Sequence, residues 1–149
     1  MSKPSIAPPT PSEKTGWRHL YNGYAEFYKV PMDDRIAGTV WGWLHDPAHV
    51  LTGLLARDED GKPIGLAHFR EMPRPLAGRT GGFLDDLYVE PGHRGTGIAD
   101  ALIEAMVAHA RNHDWANIRW ITAENNYRGR GLYDRIAQKT HWTTYEIKL

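Results

Sequence analysis

The sequence predicts an α/β domain built on a mixed, mostly antiparallel sheet. Three observations support this class: two helical segments come first, three strand-length runs follow with no helix between them, and the rest alternates helix with strand. The predicted order is αα-βββ-α-β-α-β. No internal repeat divides the 149 residues, so we expect one domain over 15–149 behind a flexible Pro-rich tail at 1–14.

The first part of the chain supplies the tail and two helices. Four prolines lie among small residues in 1–14, which indicates a flexible tail or, alternatively, a poorly formed first strand. Aromatic residues recur at helical spacing over 17–29, and a proline two residues later ends that helix. Asp33 is a good N-cap for a second helix that reaches His45.

The middle of the chain has the composition of strands and turns. Short apolar runs over 50–57 and 64–70 flank Asp60-Gly61, a hairpin signal. The prolines and glycines of 72–82 predict a loop, and 83–89 resumes as a strand.

The last third alternates helix with strand. An apolar stripe predicts a long helix over 96–113, a strand follows at 117–123, and a second helix covers 127–138. In 143–149 apolar residues alternate with polar ones, which is typical of a half-buried final strand.

Composition excludes several functional classes. Lys plus Arg and Asp plus Glu both number 18, and this zero net charge argues against nucleic-acid or anionic-membrane binding. The absence of cysteine rules out disulfides and thiolate nucleophiles and fits a cytoplasmic protein. His109 and His113 have a metal-chelating spacing but lack a third ligand, so we expect no metal site.

A glycine-bearing turn between strand and helix is the most informative segment. Residues 94–99 bring unpaired backbone N–H groups to the positive end of a helix dipole. Gly95 and Gly97 let an anion approach the backbone, and Arg94 adds a positive charge. The turn therefore predicts a phosphate or pyrophosphate site, with a purely structural tight turn as the alternative. It matches neither the dinucleotide nor the nucleoside-triphosphate pattern.

Two segments resemble the GNAT (GCN5-related N-acetyltransferase) superfamily. Arg94-Gly95-Thr96-Gly97-Ile98-Ala99 is similar to its Arg/Gln-x-x-Gly-x-Gly/Ala signature. Asn126 after a strand, followed by Leu132-Tyr133 on the next helix, resembles its later motif. The similarity covers about residues 17–149 and is strongest to the branch with polyamine, histone and D-amino-acid acetyltransferases. It implies an N-acetyltransferase domain that moves acetyl from acetyl-CoA directly to a primary amine.

The resemblance also implies a donor site. The pyrophosphate of acetyl-CoA would lie on the backbone N–H groups of six residues: Arg94, Gly95, Thr96, Gly97, Ile98 and Ala99. The pantetheine arm would pair with the backbone of Leu87 and Val89, and Asn126 would hold the arm or a nearby backbone group.

Two residues are expected to carry the chemistry that the resemblance implies. Tyr133 would protonate the departing thiolate, and Asp85 would remove a proton from the amine through a water molecule, with Glu124 as a weaker alternative. Neighbouring strand residues point to opposite faces, so at most one of Asp85 and Asp86 should face the cleft.

The acceptor is expected beside Tyr24, Tyr28 and Trp41, which could attract a cationic amine. A small amine, polyamine or amino acid is favoured, and a protein lysine stays open. Members of this branch often dimerise through their C-terminal strands, so we expect a homodimer. The alternatives are a non-catalytic coenzyme A-binding or sensor module and a nucleotide-dependent oxidoreductase.

Overall fold

The computed structural model describes residues 3–149 and confirms the predicted fold class. Five strands and four helices alternate along the chain in the order β1 (Ser5–Ala7), α1 (Lys14–Phe27), α2 (Asp34–Leu44), β2 (Leu51–Arg57), β3 (Pro63–Arg74), β4 (Arg79–Val89), α3 (Ile98–Asn112), β5 (Ile118–Arg119) and α4 (Tyr127–Ile136). Over the described part of the chain, none of the helices is long and apolar enough to cross a membrane.

The sheet separates two hydrophobic cores. Its strands lie in sequence order, and every pairing is antiparallel except that of β4 with β5. On one face, Leu55 and Leu66 pack against α1 and α2. On the other face, Ala56 and Ala67 pack with the apolar stripe of α3. The alternation of neighbouring residues between two cores explains why these strands lack a polar face.

The N-terminal segment contains a strand, in place of a flexible tail. Ser5–Ala7 pairs with the end of β2, and the chain then enters a short 3-10 helix at Pro11–Glu13. Glu13 fastens this segment to the sheet, because it binds the Arg57 guanidinium with both oxygens at 2.6 and 2.5 Å. The Glu13 side chain also accepts a hydrogen bond from the Thr10 backbone N–H. No local sequence signal identifies the pairing, because its partner lies far along the chain.

Glu13→Gln should destabilise the chain in a pH-dependent way. The hydrogen bond from Arg57 lowers the pKa of Glu13 from 4.5 to about 2. This stabilisation is present above pH 4.5 and fades as the pH falls towards 2. We expect Glu13→Gln to cost about 1–3 kcal/mol of unfolding free energy at pH 7 and nearly nothing near pH 2, measured by urea denaturation.

The matched control is Asp34→Asn. Asp34 also pairs with an arginine, Arg18, at 2.9 Å, but its side chain is 99% exposed. Exposed pairs contribute little, so this variant should unfold like the wild type. Equal losses from both variants, or a loss at Glu13 that does not vary with pH, would contradict the assignment.

The segment predicted as a loop over 72–82 is a β-hairpin. Strand β3 continues to Arg74, a short turn covers Pro75–Ala77, and β4 begins at Arg79. The glycines that suggested a loop lie in the strand because neighbouring groups come close to it. A Cβ at Gly81 would lie 2.5 Å from Asn117 Oδ1, and one at Gly82 would lie 2.5 Å from the Trp115 ring.

The C-terminal part of the sheet is shorter than predicted. Strand β5 holds only Ile118 and Arg119, which pair with Gly82 and Phe83, and the chain then diverges from β4. The final strand predicted at 143–149 does not form, and 137–149 is exposed without helix or strand. An alternating pattern gives a strand only when it pairs with another strand, and this segment pairs with none of the five strands.

Candidate functional site

The divergence of β4 and β5 opens one edge of β4. The Glu90 N–H donates to the Ile64 carbonyl of β3 at 2.9 Å. Because backbone groups alternate along a strand, the N–H and C=O of Val89 and Leu87 point the other way, into the gap. Strand β5 pairs only with Gly82 and Phe83, so it does not occupy this edge. The gap can therefore accept an extended ligand as an additional strand.

The glycine turn closes one end of this gap. Gly95 and Gly97 have φ angles of 77° and 86°, in the left-handed region that favours glycine. Gly97 is the N-cap residue of α3, so the helix begins with exposed N–H groups at Ile98 and Ala99. No atom lies within 4 Å of the Cβ position at Gly97, which leaves room for a ligand. Thr96 fixes the turn by donating its hydroxyl to the His93 carbonyl.

The Arg94 side chain is held by contacts within the protein and does not extend freely towards a bound phosphate. Its Nε donates to the Val89 carbonyl at 2.9 Å. Its guanidinium carbon lies 5.4 Å from the Tyr88 ring centre and 5.9 Å from that of Phe27. These contacts hold the cation at the mouth of the gap, where it joins the turn to β4 and α1.

Helix α4 forms the opposite wall. Asn126 caps its first turn by accepting a hydrogen bond from the Gly129 N–H, and its Nδ2 donates to Thr122 Oγ1 at 2.9 Å. Gly129 packs closely on this cap, because a Cβ here would lie 2.5 Å from the Asn126 amide nitrogen and would displace that side chain. Asn126 thus contacts a nearby backbone group, and its contact with the pantetheine arm stays a prediction. This cap orients the helix that carries Tyr133.

Tyr133 presents a protonated hydroxyl. Its ring packs edge-on against Trp120, with centres 5.4 Å apart. Burial, followed by the nearby Tyr28 hydroxyl, raises the pKa of Tyr133 to about 12. Within residues 3–149, no hydrogen bond engages this hydroxyl. It is therefore a donor at neutral pH, and it is free to act on a ligand.

These groups line one cavity of about 380 Å³. It brings together most of the predicted donor-site residues with Tyr133 and Tyr28. The cavity also has lining residues that were not among the predicted site residues, namely Phe27, Tyr88, His93, Asp100, Arg128, Gly129, Leu132 and Arg135. Arg128 and Arg135 lie seven residues apart on α4, a spacing that marks one helix face and could have identified them. The cavity thus combines an elongated gap, exposed amides and cations, which suits a phosphorylated chain-like ligand.

A β-bulge places Asp85 and Asp86 differently from the sequence prediction. His68 pairs with Asp86 and Phe69 with Leu84, so Asp85 is an extra residue in β4. Asp86 contacts His68 and Asp85 contacts Arg70. Positions 68 and 70 share a face of β3, so both carboxylates lie on the side of α1 and α2. The expectation of opposite faces is wrong, because it assumed a regular strand. Neither aspartate lines the cavity.

The three aromatic residues predicted for the acceptor lie in different surroundings. Tyr28 lines the cavity. Tyr24 packs against it, with ring centres 5.0 Å apart, and donates its hydroxyl to the Asp85 carbonyl at 3.3 Å. Trp41 is half-buried against the core, 5.0 Å from Trp17, and is not part of the cavity lining. Asp33 is a helix cap and accepts from the Ile36 N–H.

The spaced histidines of α3 form a stacked pair. The ring centres of His109 and His113 lie 4.0 Å apart, and burial together with His113 lowers the pKa of His109. Over residues 3–149, no group of three or more metal-ligating side chains is found.

Comparison with known proteins gives a family match over most of the chain. A family model described as "Acetyltransferase (GNAT) family" matches residues 10–137. A D-amino-acid N-acetyltransferase of Saccharomyces cerevisiae is 31% identical over 137 residues, which cover 91% of this chain and 85% of the relative.

Solved structures extend the similarity to the whole fold. A ribosomal-protein-alanine N-acetyltransferase from Brucella melitensis biovar Abortus 2308 has a TM-score of 0.83 at 27% identity, covering 99% of this chain and all of the other. An aminoglycoside 6'-N-acetyltransferase from Acinetobacter haemolyticus has a TM-score of 0.76 at 21% identity, covering 97% and 98%. At 21% identity, the similarity to the aminoglycoside acetyltransferase shows a shared fold alone.

Proposed function

Since this chain belongs to the GNAT family of acetyltransferases and is an acyltransferase, we propose that it transfers the acetyl group of acetyl-CoA to the primary amine of a small molecule. The observation that carries the proposal is the shared cavity, in which Tyr133 faces the open β4 edge and the glycine turn. A free amino acid is the favoured acceptor, because the yeast relative is a D-amino-acid N-acetyltransferase.

The donor site is proposed from features of the cavity. The N–H groups at the start of α3 would hold the pyrophosphate, with Gly95 and Gly97 permitting close approach. The open edge at Leu87 and Val89 would pair with the pantetheine arm. Arg128 supplies positive charge on the opposite wall, whereas Arg135 is paired with Asp100 at 3.0 Å. When bound there, acetyl-CoA supplies an activated acyl group.

In the proposed mechanism, one protein group takes a proton from the amine and another donates a proton to the departing thiolate. A carboxylate on β4, for which the sequence predicts Asp85, takes the proton from the ammonium. The neutral nitrogen attacks the acetyl carbonyl carbon, and the carbon–sulfur bond breaks as the amide forms. Tyr133 donates its phenolic proton to the departing thiolate, which a hydroxyl with a pKa of about 12 still carries at neutral pH. No acyl-enzyme is needed.

A free-thiol assay tests the proposal. The chain is incubated with acetyl-CoA and with D-amino acids, L-amino acids, spermidine or a lysine-containing peptide in turn, and thiol release is followed. We expect release above background with at least one amine, strongest among free amino acids. Binding of acetyl-CoA without thiol release from any amine would instead support the alternative, a non-catalytic coenzyme A-binding module.

We also propose that the chain forms a homodimer through its C-terminal segment, residues 138–149. Among the described residues, no hydrogen bond joins this segment to the rest of the chain. Its apolar side chains are all at least 80% exposed, namely Trp142, Tyr145, Ile147 and Leu149. Such exposure is costly for a monomer in water. The last three share one face of an extended chain.

A second copy supplies a matching edge. Beyond Arg119 the outer edge of β5 has no strand partner, and Ile121 beside it is 63% exposed. The C-terminal segment of the partner subunit could pair with this edge of β5. Two-fold symmetry would then pair the segments of both copies in the same way.

Ile147→Lys tests the dimer. We expect the wild type to sediment as a dimer and Ile147→Lys as a monomer, because the lysine would be buried in the interface. Lys148→Ala, on the opposite face of the same segment, is the control and should remain dimeric. A wild-type chain that sediments as a monomer at micromolar concentration would refute the homodimer.

A further inference from the structure

His68 on β3 is a histidine buried between the sheet and α1. It is 1% exposed, and across residues 3–149 no other polar or charged residue is fully buried. Trp17 Nε1 lies 3.0 Å from its Nε2. An indole nitrogen can only donate, so Nε2 of His68 must accept, and the ring proton is assigned to Nδ1. That Nδ1–H donates to Asp86 Oδ2 at 2.8 Å.

Asp86 is held by donors from both β3 and α1. Tyr21 on α1 also donates its hydroxyl to Oδ2, at 3.0 Å. Both hydrogen bonds end on the same oxygen, and the Tyr24 hydroxyl also lies within hydrogen-bond reach of this carboxylate. A carboxylate has about four lone-pair sites, so Asp86 can still accept from a further donor. The Asp86 side chain is 18% exposed, so a ligand can reach it. A carboxylate that is fixed in place and only partly engaged is suited to receive a cation.

Asp85, unlike Asp86, is already paired with an arginine. The Arg70 Nε lies 3.0 and 3.2 Å from its two oxygens, so a guanidinium already occupies this carboxylate. Burial raises the pKa of the Asp85 carboxyl, and Arg70 opposes that rise. An ammonium group would have to displace Arg70 before it could bind there.

A series of tyrosines connects Asp86 with the cavity. Tyr28 lines the cavity and packs against Tyr24. Burial raises the pKa of Tyr24, and the Asp86 carboxylate raises it further, so the two groups are close. Tyr88, which also lines the cavity, lies two residues after Asp86 on the same side of β4. An amine that enters between these rings would have aromatic faces around its positive charge.

We propose that Asp86 binds the ammonium of the acceptor and removes its proton, and that His68 and Tyr21 are positioning residues for this carboxylate. This inference rests on the proposed function and moves the base from Asp85 to its neighbour. The ammonium gives its proton to Asp86, and the nitrogen lone pair forms the bond to the acetyl carbon. The carbon–sulfur bond breaks as the thiolate takes a proton from Tyr133. Asp86 then releases its proton to water.

Asp86→Asn is the decisive variant, with D-phenylalanine and spermidine as the acceptors. Asparagine keeps the shape but cannot take a proton. We expect kcat/KM for the amine to fall about 100-fold, with the acetyl-CoA Kd within about twofold of wild type. Asp85→Asn should lose much less. Exposed Asp114→Asn is the surface control and should turn over like the wild type.

The pH profile separates a lost base from a distorted site. Without Asp86, only amine that is already neutral can react, so the rate should rise about tenfold per pH unit below the pKa of the amine. The difference from wild type should therefore shrink at high pH. The charged and titratable groups that face Asp86 are His68 and Arg70 from β3, Tyr21 and Tyr24 from α1, and Asp85 from β4.

His68 variants test the positioning role. His68→Leu removes the donor to Asp86, whereas the amide nitrogen of His68→Asn can replace Nδ1. We expect the leucine variant to show a lower kcat and a shifted pH profile, and the asparagine variant to recover most of both. If His68→Leu does not fold, His68→Asn alone still tests the positioning role of His68. A His68→Asn variant that loses the wild-type pH profile would contradict that role.

The outcomes separate this inference from the proposed function. Turnover by the wild type together with a selective loss in Asp86→Asn supports both. Turnover by wild type and Asp86→Asn alike, or a larger loss in Asp85→Asn, overturns this inference and leaves the acetyltransferase standing. No thiol release by the wild type with any amine overturns the proposed function, and the assignment of Asp86 with it.

Discussion

Tyr133→Phe should lower kcat roughly 100-fold while changing the acetyl-CoA Kd by less than about twofold. The substitution removes only the hydroxyl, so the ring still packs against Trp120 and the cavity keeps its shape. What is lost is the proton for the departing thiolate. Stopped-flow thiol release gives kcat, and calorimetric titration gives the Kd.

Tyr127→Phe is the matched control for this prediction. Tyr127 lies on the same helix, α4, but its side chain is 75% exposed and does not line the cavity. It should turn over like the wild type. Because burial raises the pKa of Tyr133 to about 12, wild-type activity should not decline between pH 7 and 10 through loss of this proton. Equal losses of kcat and affinity in Tyr133→Phe would contradict the acid role and indicate a binding role.

Gly97→Val should weaken acetyl-CoA binding at least tenfold. Gly97 has a φ of 86°, which a β-branched residue adopts only at a cost of about 1–3 kcal/mol. Relief of this strain would move the first turn of α3 and turn its N–H groups away from the pyrophosphate. The wild type should gain thermal stability from acetyl-CoA, whereas the variant should gain much less.

Gly92→Ala is the control in the same turn. Gly92 does not have a positive φ, no atom lies within 4 Å of its Cβ position, and it is not part of the cavity lining. Its acetyl-CoA affinity should match that of the wild type. Tight binding by Gly97→Val would show that the diphosphate does not use this turn.

Several features of the site could be predicted because their cause is local. The strand, the glycine turn and the apolar stripe of α3 follow one another within residues 83–112, and each leaves its own sequence pattern. Asn126 and Tyr133 were identified in the same way, through a motif on one helix. The start of the second helix at Asp33 was also predicted, since a cap depends on residues three positions away.

Other features were missed because distant residues cause them. Gly81 and Gly82 indicated a loop, but the structure uses them where Trp115 and Asn117 approach the strand. The strand at Ser5–Ala7 exists because β2 offers its edge. The alternating C-terminal segment has no strand partner in its own chain, so its pattern alone does not make it a strand.

The sequence by itself determined the fold class, the glycine turn and the helix that carries Tyr133, because turn geometry and helical periodicity depend on neighbours a few residues apart. Only the tertiary structure decided the surroundings of Asp85 and Asp86. A single unpaired residue in β4 sets both on one face, and folding brings Tyr21 and His68 to Asp86 from 65 and 18 residues away. Contacts over such separations depend on strand register and helix packing, which no local pattern records.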